Sequence, residues 1–271
     1  MKDEYISLLM IEGLEGKSFF MIARSRDGYY FEIYEKPFML PSNEEPFKTF
    51  EENGIEDPRI TQIGDTYYIM YVASSKYHSR LAIAKTYDFN EFERIALISE
   101  PGNKDGIMFP QKFNDMYVRF DRPPVGGGSS IWISYSPDLI YWGKAKPVMT
   151  TRSGYWDSER IGAGTQPIKT EKGWLEIYHG VRRTPAGDIY RLGCALFDIN
   201  DPSKLIGRSL APILSPRDQY ERTGDVPNVV FTCGAVYEED KGEVKIYYGA
   251  SDTVICIGTA KIEDLLINCL E

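Results

Sequence analysis

The chain has 271 residues, is 42% hydrophobic and 13% aromatic, and carries a net charge of −9. That is enough apolar material for one well-buried domain, and the acid excess argues against a nucleic-acid partner, whose surface needs a dense basic stripe. No apolar run approaches the roughly 18–20 residues that span a bilayer, and no basic start followed by an apolar segment marks Met1–Met10 as a leader, so neither membrane nor export is expected.

Taken in chain order, the apolar segments are short, rich in β-branched and aromatic residues, and arranged in pairs. Tyr5–Met10 is followed by Ser18–Ala23, Tyr67–Ala73 by Leu81–Thr86, and Tyr117–Phe120 by Ile131–Tyr135. Trp174–His179 is followed by Arg191–Phe197, and Val244–Gly249 by Val254–Ala260. The turns repeat as well. Gly64-Asp65, Asn114-Asp115, Lys172-Gly173 and Lys241-Gly242 each lead into the first strand of a pair. Ser25-Arg26-Asp27, Thr86-Tyr87-Asp88 and Ser136-Pro137-Asp138 each leave the second. Only Ile262–Leu270 has the spacing of a helix.

Pair starts lie 62, 50, 57 and 70 residues apart. A β-sandwich would need no such period, and a β-helix would need a much shorter one. Five pairs at this spacing predict an all-β, five-bladed β-propeller filling residues 1–271 as a single catalytic domain. A propeller gathers ligand-binding residues at its axial end from every blade, so the site residues are expected to be scattered along the chain. The cysteines Cys194, Cys233, Cys256 and Cys269 show no metal-like spacing and are expected to be buried, reduced thiols in a cytoplasmic protein.

Several segments between pairs hold more Gly, Pro and charge than turns require. In Gly54-Ile55-Glu56-Asp57-Pro58-Arg59 the proline favours an extended Asp57, which reads either as a fixed carboxylate or as a turn cap. Lys104, Arg122, Arg160 and His179 come from different pairs, and each taken alone also reads as a salt-bridged or core residue. Gly126-Gly127-Gly128 lacks the Lys and the helix of a phosphate loop and reads as a hairpin tip. No metal-ligand cluster and no G-x-S-x-G elbow is present, so no metal is expected.

The order of the motifs is similar to that of glycoside hydrolase family 130. The resemblance rests on Gly-Ile-Glu-Asp-Pro-Arg (54–59), Asn-Lys-Asp (103–105) with Phe-Pro-Gln-Lys (109–112), Asp-Arg-Pro (121–123) and Ile-Gly-Ala-Gly (161–164). It continues through Tyr-His-Gly-Val (178–181), Tyr-Arg-Leu-Gly (190–193), Gly-Asp-Val-Pro-Asn-Val-Val-Phe (224–231) and Tyr-Gly-Ala-Ser-Asp-Thr (248–253). Most members are inverting β-mannoside phosphorylases on five-bladed propellers, and some are β-mannosidases. The resemblance implies that Asp57 is the proton donor, acting through a substrate hydroxyl. It implies that Lys104, Arg122, Arg160, His179 and Tyr190 line a phosphate site, and that Asp105, Asp252 and Arg59 contact the mannosyl unit. It further implies a β-1,4- or β-1,2-mannoside and inorganic phosphate as co-substrates, no cofactor, α-mannose 1-phosphate as product, and self-association into a homo-oligomer.

Phosphate is already an anionic nucleophile, so a phosphorylase needs cationic donors where an inverting hydrolase needs a second carboxylate. Such a cationic cluster is expected to be strained until an anion occupies it. A hydrolase would use Glu56 or Glu159 as its base. Met10 stands where many members carry Arg, and the sequence starts almost at the first strand pair, without the family's usual Asn-Pro segment. Both departures bear on the sugar pocket and motivate a third reading, a non-catalytic sugar-binding propeller.

Overall fold

The computed structural model describes residues 4–125 and 129–270, so the Gly126–Gly128 hairpin tip lies outside the described residues. Nineteen strands dominate it. They are β1 (Tyr5–Glu12), β2 (Ser18–Ser25), β3 (Glu32–Met39), β4 (Gly54–Ile63), β5 (Thr66–Ser74), β6 (Arg80–Thr86) and β7 (Glu93–Leu97), then β8 (Lys104–Met108), β9 (Tyr117–Arg122), β10 (Ile131–Ser136) and β11 (Gly143–Met149). There follow β12 (Arg160–Ala163), β13 (Ile168–Thr170), β14 (Gly173–Thr184), β15 (Gly187–Phe197), β16 (Leu205–Arg208), β17 (Val230–Glu238), β18 (Glu243–Ala250) and β19 (Val254–Lys261). Three α-helices, α1 (Phe47–Phe50), α2 (Gln219–Arg222) and α3 (Ile262–Leu270), and a 3-10 turn at Glu239–Lys241 complete the described residues. All ten expected strands and the expected helix are present.

The strands form antiparallel groups in sequence order: β1–β3, β4–β7, β8–β11, β12–β16 and β17–β19. The first two groups share one seven-stranded sheet, joined by a single parallel contact between Ser18 of β2 and Gly54 of β4. Gly54 has φ +124°, and a Cβ there would lie 2.5 Å from the Ser18 nitrogen, so only glycine allows the approach. Among the described residues none of the sheets closes on itself.

Period-two alternation explains how the groups pack. Along β5, Ile69, Tyr71 and Ala73 meet Phe20, Ile22 and Met39 of the first group. Met70 and Val72 point the other way and meet Met108 and Leu139 of the third. A middle strand is therefore apolar on both faces. Further on, Phe109, Val118 and Phe120 pack on Ile161, Trp174 and Tyr178. Leu175, Ile177 and Leu192 pack on Val230, Val244 and Ile246. Ile262, Leu265, Leu266 and Cys269 give α3 one apolar stripe, which covers this last cluster.

The first and last groups meet mainly through polar atoms, with one edge-to-face contact between Phe31 and Tyr247. Lys245, 2% exposed, donates to the Asp27 carbonyl (2.7 Å) and pairs with Glu238 (3.2 Å). Tyr5 donates to Glu238, and Tyr247 donates to the Gly28 carbonyl at 2.8 Å. No helix among the described residues is long and apolar enough to cross a membrane.

Candidate active site

Asp57 lies in a bulge of β4. Glu56 pairs with Val72 and Arg59 with Met70, so β4 carries one residue more than β5 over this stretch. The bulge accommodates Pro58, which has no N–H for the ladder. The expected extended Asp57 is corrected here: its φ is +52°. The clash with a following proline disfavours the right-handed helical region, and the bulge takes the left-handed one, which Asp tolerates. Asp105 repeats the device on β8. Lys104 faces Arg122 and Ile107 faces Phe120, again one residue too many, and Asp105 has φ +56°. Two strained backbones thus aim two carboxylates at one place.

Between them lies Arg59, 1% exposed. Its NH1 donates to the Asp57 carbonyl (3.1 Å), its Nε to Gly164 O (3.1 Å), and its NH2 to Ala163 O (3.3 Å) and Asp105 Oδ1 (3.4 Å). The guanidinium also lies over Phe231, 5.7 Å from the ring centre. Asp105 is equally buried, at 1% exposure, and its Oδ2 is held by Arg122 Nε at 2.5 Å. Burial disfavours the Asp105 carboxylate, but Arg122 and Arg59 more than offset it and hold the carboxyl well below the usual range.

His179 Nε2 is 3.5 Å from the same oxygen, and the ring packs between Tyr190 and Phe231. Burial pushes this imidazole down to about 3, with Arg122 adding to the effect, so it is neutral near neutral pH. Its Nδ1 is buried without a hydrogen-bond partner among the described residues. Gly162, directly across from His179 on β12, makes room for the cluster: a Cβ there would lie 2.1 Å from Asp105 Oδ2.

The other basic residues lie alongside. Lys104 donates to Glu56 at 3.1 Å. Burial works against its ammonium, but Glu56 and Asp57 outweigh this and hold the charge. Arg160 donates to Asp188 and to the Tyr190 hydroxyl, both at 2.7 Å. The structure therefore brings Lys104, Arg122 and His179 to Asp57 and Asp105, with Tyr190 stacked on His179 and Arg160 bonded to Tyr190. The expected strain of an unneutralised cationic cluster is corrected: Asp105, Glu56 and Asp188 already supply counter-charges. Donors nevertheless remain. Both terminal nitrogens of Arg122, and Nε and NH1 of Arg160, have no protein hydrogen bond among the described residues.

Asp57 is half-buried and borders a cavity of about 760 Å³, which is also lined by Pro58, Phe231, Cys233, Gly249 and Asp252. Loss of water around Asp57 raises its carboxyl above the ordinary value, Asp105 adds to this, and Arg59 and Lys104 oppose it. Burial likewise pushes the Cys233 thiol up to about 12, so it is no nucleophile at neutral pH. Asp252, φ +52°, is exposed at the cavity edge. Partial loss of water around the carboxyl and its neighbour Asp225 raise it too. Met10 borders the same cavity. Arg59 and Asp105 present almost no surface to it, so the expected sugar contacts of these two have no free atoms to act through in this arrangement.

Both candidate hydrolytic bases are engaged, Glu56 by Lys104 and Glu159 by Arg183 at 3.1 Å. Asp188 and Gly162 were missed from sequence. Asp188 had a signal: it lies two residues before Tyr190 on one strand, hence on the same face. No group of three or more His, Cys, Asp or Glu among the described residues is placed to hold a metal.

A family model described as beta-1,4-mannooligosaccharide phosphorylase matches residues 14–271. The chain is 42% identical over 255 residues to a β-1,2-mannobiose phosphorylase of Listeria innocua, covering 93% of this chain and 69% of the relative. A β-1,4-mannooligosaccharide phosphorylase of Ruminococcus albus is 33% identical, covering 89% and 73%. The solved structure of the β-1,2-mannobiose phosphorylase from Listeria innocua, in complex with β-1,2-mannobiose, superposes with a TM-score of 0.86 at 41% identity, covering 94% of this chain and 72% of that one.

Proposed function

The chain belongs to glycoside hydrolase family 130, and from that premise we propose that it cleaves β-mannosides with inorganic phosphate, inverting the anomeric centre to give α-mannose 1-phosphate. A phosphate oxygen attacks the anomeric carbon from the face opposite the leaving group. The bond to the glycosidic oxygen breaks, and that oxygen receives the Asp57 proton by way of a substrate hydroxyl. The observation that carries this reading is the set of unused donors on Arg122 and Arg160, next to Tyr190 and the neutral His179, in the same cluster as a carboxyl that burial raises above its ordinary value. Guanidinium forks bind phosphate oxygens in pairs and hold the anion in line. No second carboxylate is then needed, which agrees with the engagement of Glu56 and Glu159.

In this reading Asp252 contacts the mannosyl unit from the cavity edge, Lys104 and Tyr190 help bind the phosphate, and Arg59 and Asp105 act from behind. Relatives described as acting on β-1,2-mannobiose or 1,2-β-oligomannan match at 37–42% identity, against 33% for the β-1,4 enzyme, which favours the β-1,2 linkage. We also read the five strand groups as five blades of one catalytic domain. Four apolar seams and one polar seam between the last and first groups support that reading. The free cysteines fit a reducing, cytoplasmic setting. The test is incubation with β-1,2- and β-1,4-mannobiose, with and without phosphate, followed by phosphorus NMR. A sugar phosphate of α configuration is expected. Mannose released at the same rate without phosphate would refute the reading.

A further inference from the structure

Arg59 contacts more of the site than any other side chain described above, yet it presents almost none of its surface to the cavity. Its three nitrogens reach four acceptors on three strand groups: the Asp57 carbonyl on β4, Asp105 on β8, and the Ala163 and Gly164 carbonyls at the end of β12. The Gly164 nitrogen in turn donates to Glu176 Oε1 on β14 at 2.9 Å. Glu176 is fully buried, its Oε2 has no partner among the described residues, and burial lifts its carboxyl well above the ordinary value. A buried carboxyl therefore backs the turn that Arg59 grips, and Phe231 of β17 closes the far side of the guanidinium.

We propose that Arg59 is a positioning residue: it aims the Asp57 carboxyl by holding the backbone of the bulge that carries it, and it ties that bulge to Asp105 and to the Ala163–Gly164 turn. This rests on the assignment of Asp57 as the acid. A left-handed residue at a bulge has a neighbouring extended alternative. The hydrogen bond to the Asp57 carbonyl selects between them without occupying the carboxyl, which stays open to the cavity. Lysine could not replace it, because one ammonium cannot span four acceptors on three elements.

The same contact gives a readout that packing alone would not. The charged groups facing Asp57 are Glu56 and Arg59 of β4, Lys104 and Asp105 of β8, and Arg122 of β9, with the uncharged Cys233 thiol of β17 beside them. Among them Arg59 is the strongest influence favouring the ionised carboxyl. Removing its charge while leaving Asp57 buried moves the Asp57 titration to higher pH.

The experiment is a carbon-13 NMR titration of aspartate carboxyls in the intact protein, with Asp57→Asn identifying the resonance, on wild type and Arg59→Gln. The midpoint is expected to rise by about one pH unit or more in Arg59→Gln, and kcat on mannobiose with phosphate to fall at least about tenfold. An unchanged midpoint in a folded Arg59→Gln protein overturns the proposal. If that variant does not fold, Arg59→Lys decides: the midpoint stays near wild type while kcat falls about tenfold or more at similar KM, and a wild-type kcat overturns the proposal. The titration needs no substrate. A wild-type protein that fails to turn over mannobiose would sink the phosphorylase reading and leave the Arg59–Asp57 coupling measurable.

Discussion

Replacing Gly162 by alanine tests whether the buried ion cluster is as tight as its distances imply. Gly162 does not have a positive φ, so the backbone itself gains about 0.4–1 kcal/mol from the change. The new methyl would lie 2.1 Å from Asp105 Oδ2, 2.5 Å from His179 Cε1 and 2.8 Å from Asp105 Cγ. None of these is the free end of a flexible chain: Asp105 is clamped by Arg122 and Arg59, and His179 by Tyr190 and Phe231. Asp105 must move by about 1 Å to restore van der Waals contact, which opens the 2.5 Å pair with Arg122. Overpacking of this kind costs about 1–3 kcal/mol, and breaking a buried pair outright costs about 3–5 kcal/mol. Net of the backbone gain, a loss of about 2–4 kcal/mol follows, seen as a fall in Tm on the order of 5 °C or more. Because Arg122 and Asp57 both shift, kcat/KM for phosphorolysis should fall about a hundredfold. Denaturant unfolding and steady-state kinetics measure the two effects. Gly143→Ala is the control, since a Cβ there meets nothing within 4 Å. A Gly162→Ala protein within 0.5 kcal/mol of wild type and with wild-type kcat/KM would refute the packing described for this cluster.

Arg122→Gln and Arg160→Gln should each raise KM for phosphate about tenfold or more while leaving KM for the mannoside within about twofold, as initial rates at varied phosphate would show. Asp57 must be protonated to act, and its carboxyl is raised by burial, so kcat is expected to hold at low pH and fall as pH rises through that raised value. In Asp57→Asn the rate should drop about 10²–10⁴-fold at every pH. Lys245→Met removes one of the partners of Glu238, which keeps Tyr5 and Lys241, together with the bond to the Asp27 carbonyl, and should cost about 1–2 kcal/mol in urea unfolding. Stability unchanged in that variant would mean that the polar seam contributes nothing. Asp105 is depressed in the folded protein, so its stabilising contribution is present above the ordinary carboxylate range and is lost as pH falls below it.

The inner strands were legible from sequence because both of their faces are apolar and their turns are tight. The outer ones were not, for physical reasons. β3 and β11 are mostly exposed, rich in charge, and carry Pro37 and Pro147, as edge strands do to avoid pairing with other chains. They show no alternation to read. β4 and β8 carry the bulges, and Pro58 and Gly106 there look like loop residues. At the site, residue type and motif order singled out Asp57, Arg122, Arg160, His179 and Tyr190. The counter-ions were less visible, because a pair such as Arg160 and Asp188 is made by strand register across 28 residues. The role of Gly162 depends on an approach between β8 and β12 that no local pattern encodes. The spent donors of Arg59 could not be read at all, since burial depends on how the strand groups assemble.

The meeting of the first and last strand groups bears on how the molecule breathes. Elsewhere, neighbouring groups share oil, and parting them exposes apolar surface all at once. At this one junction a lysine, two tyrosine hydroxyls and a glutamate can exchange protein partners for water one at a time. Fluctuations should therefore start there, with the amide protons of β1 and β19 exchanging before those of β5 or β14, and with a protease making its first cut nearby. The cavity beside Asp57 runs along β1, so the strand at the least secure junction is also a wall of the space next to that carboxyl.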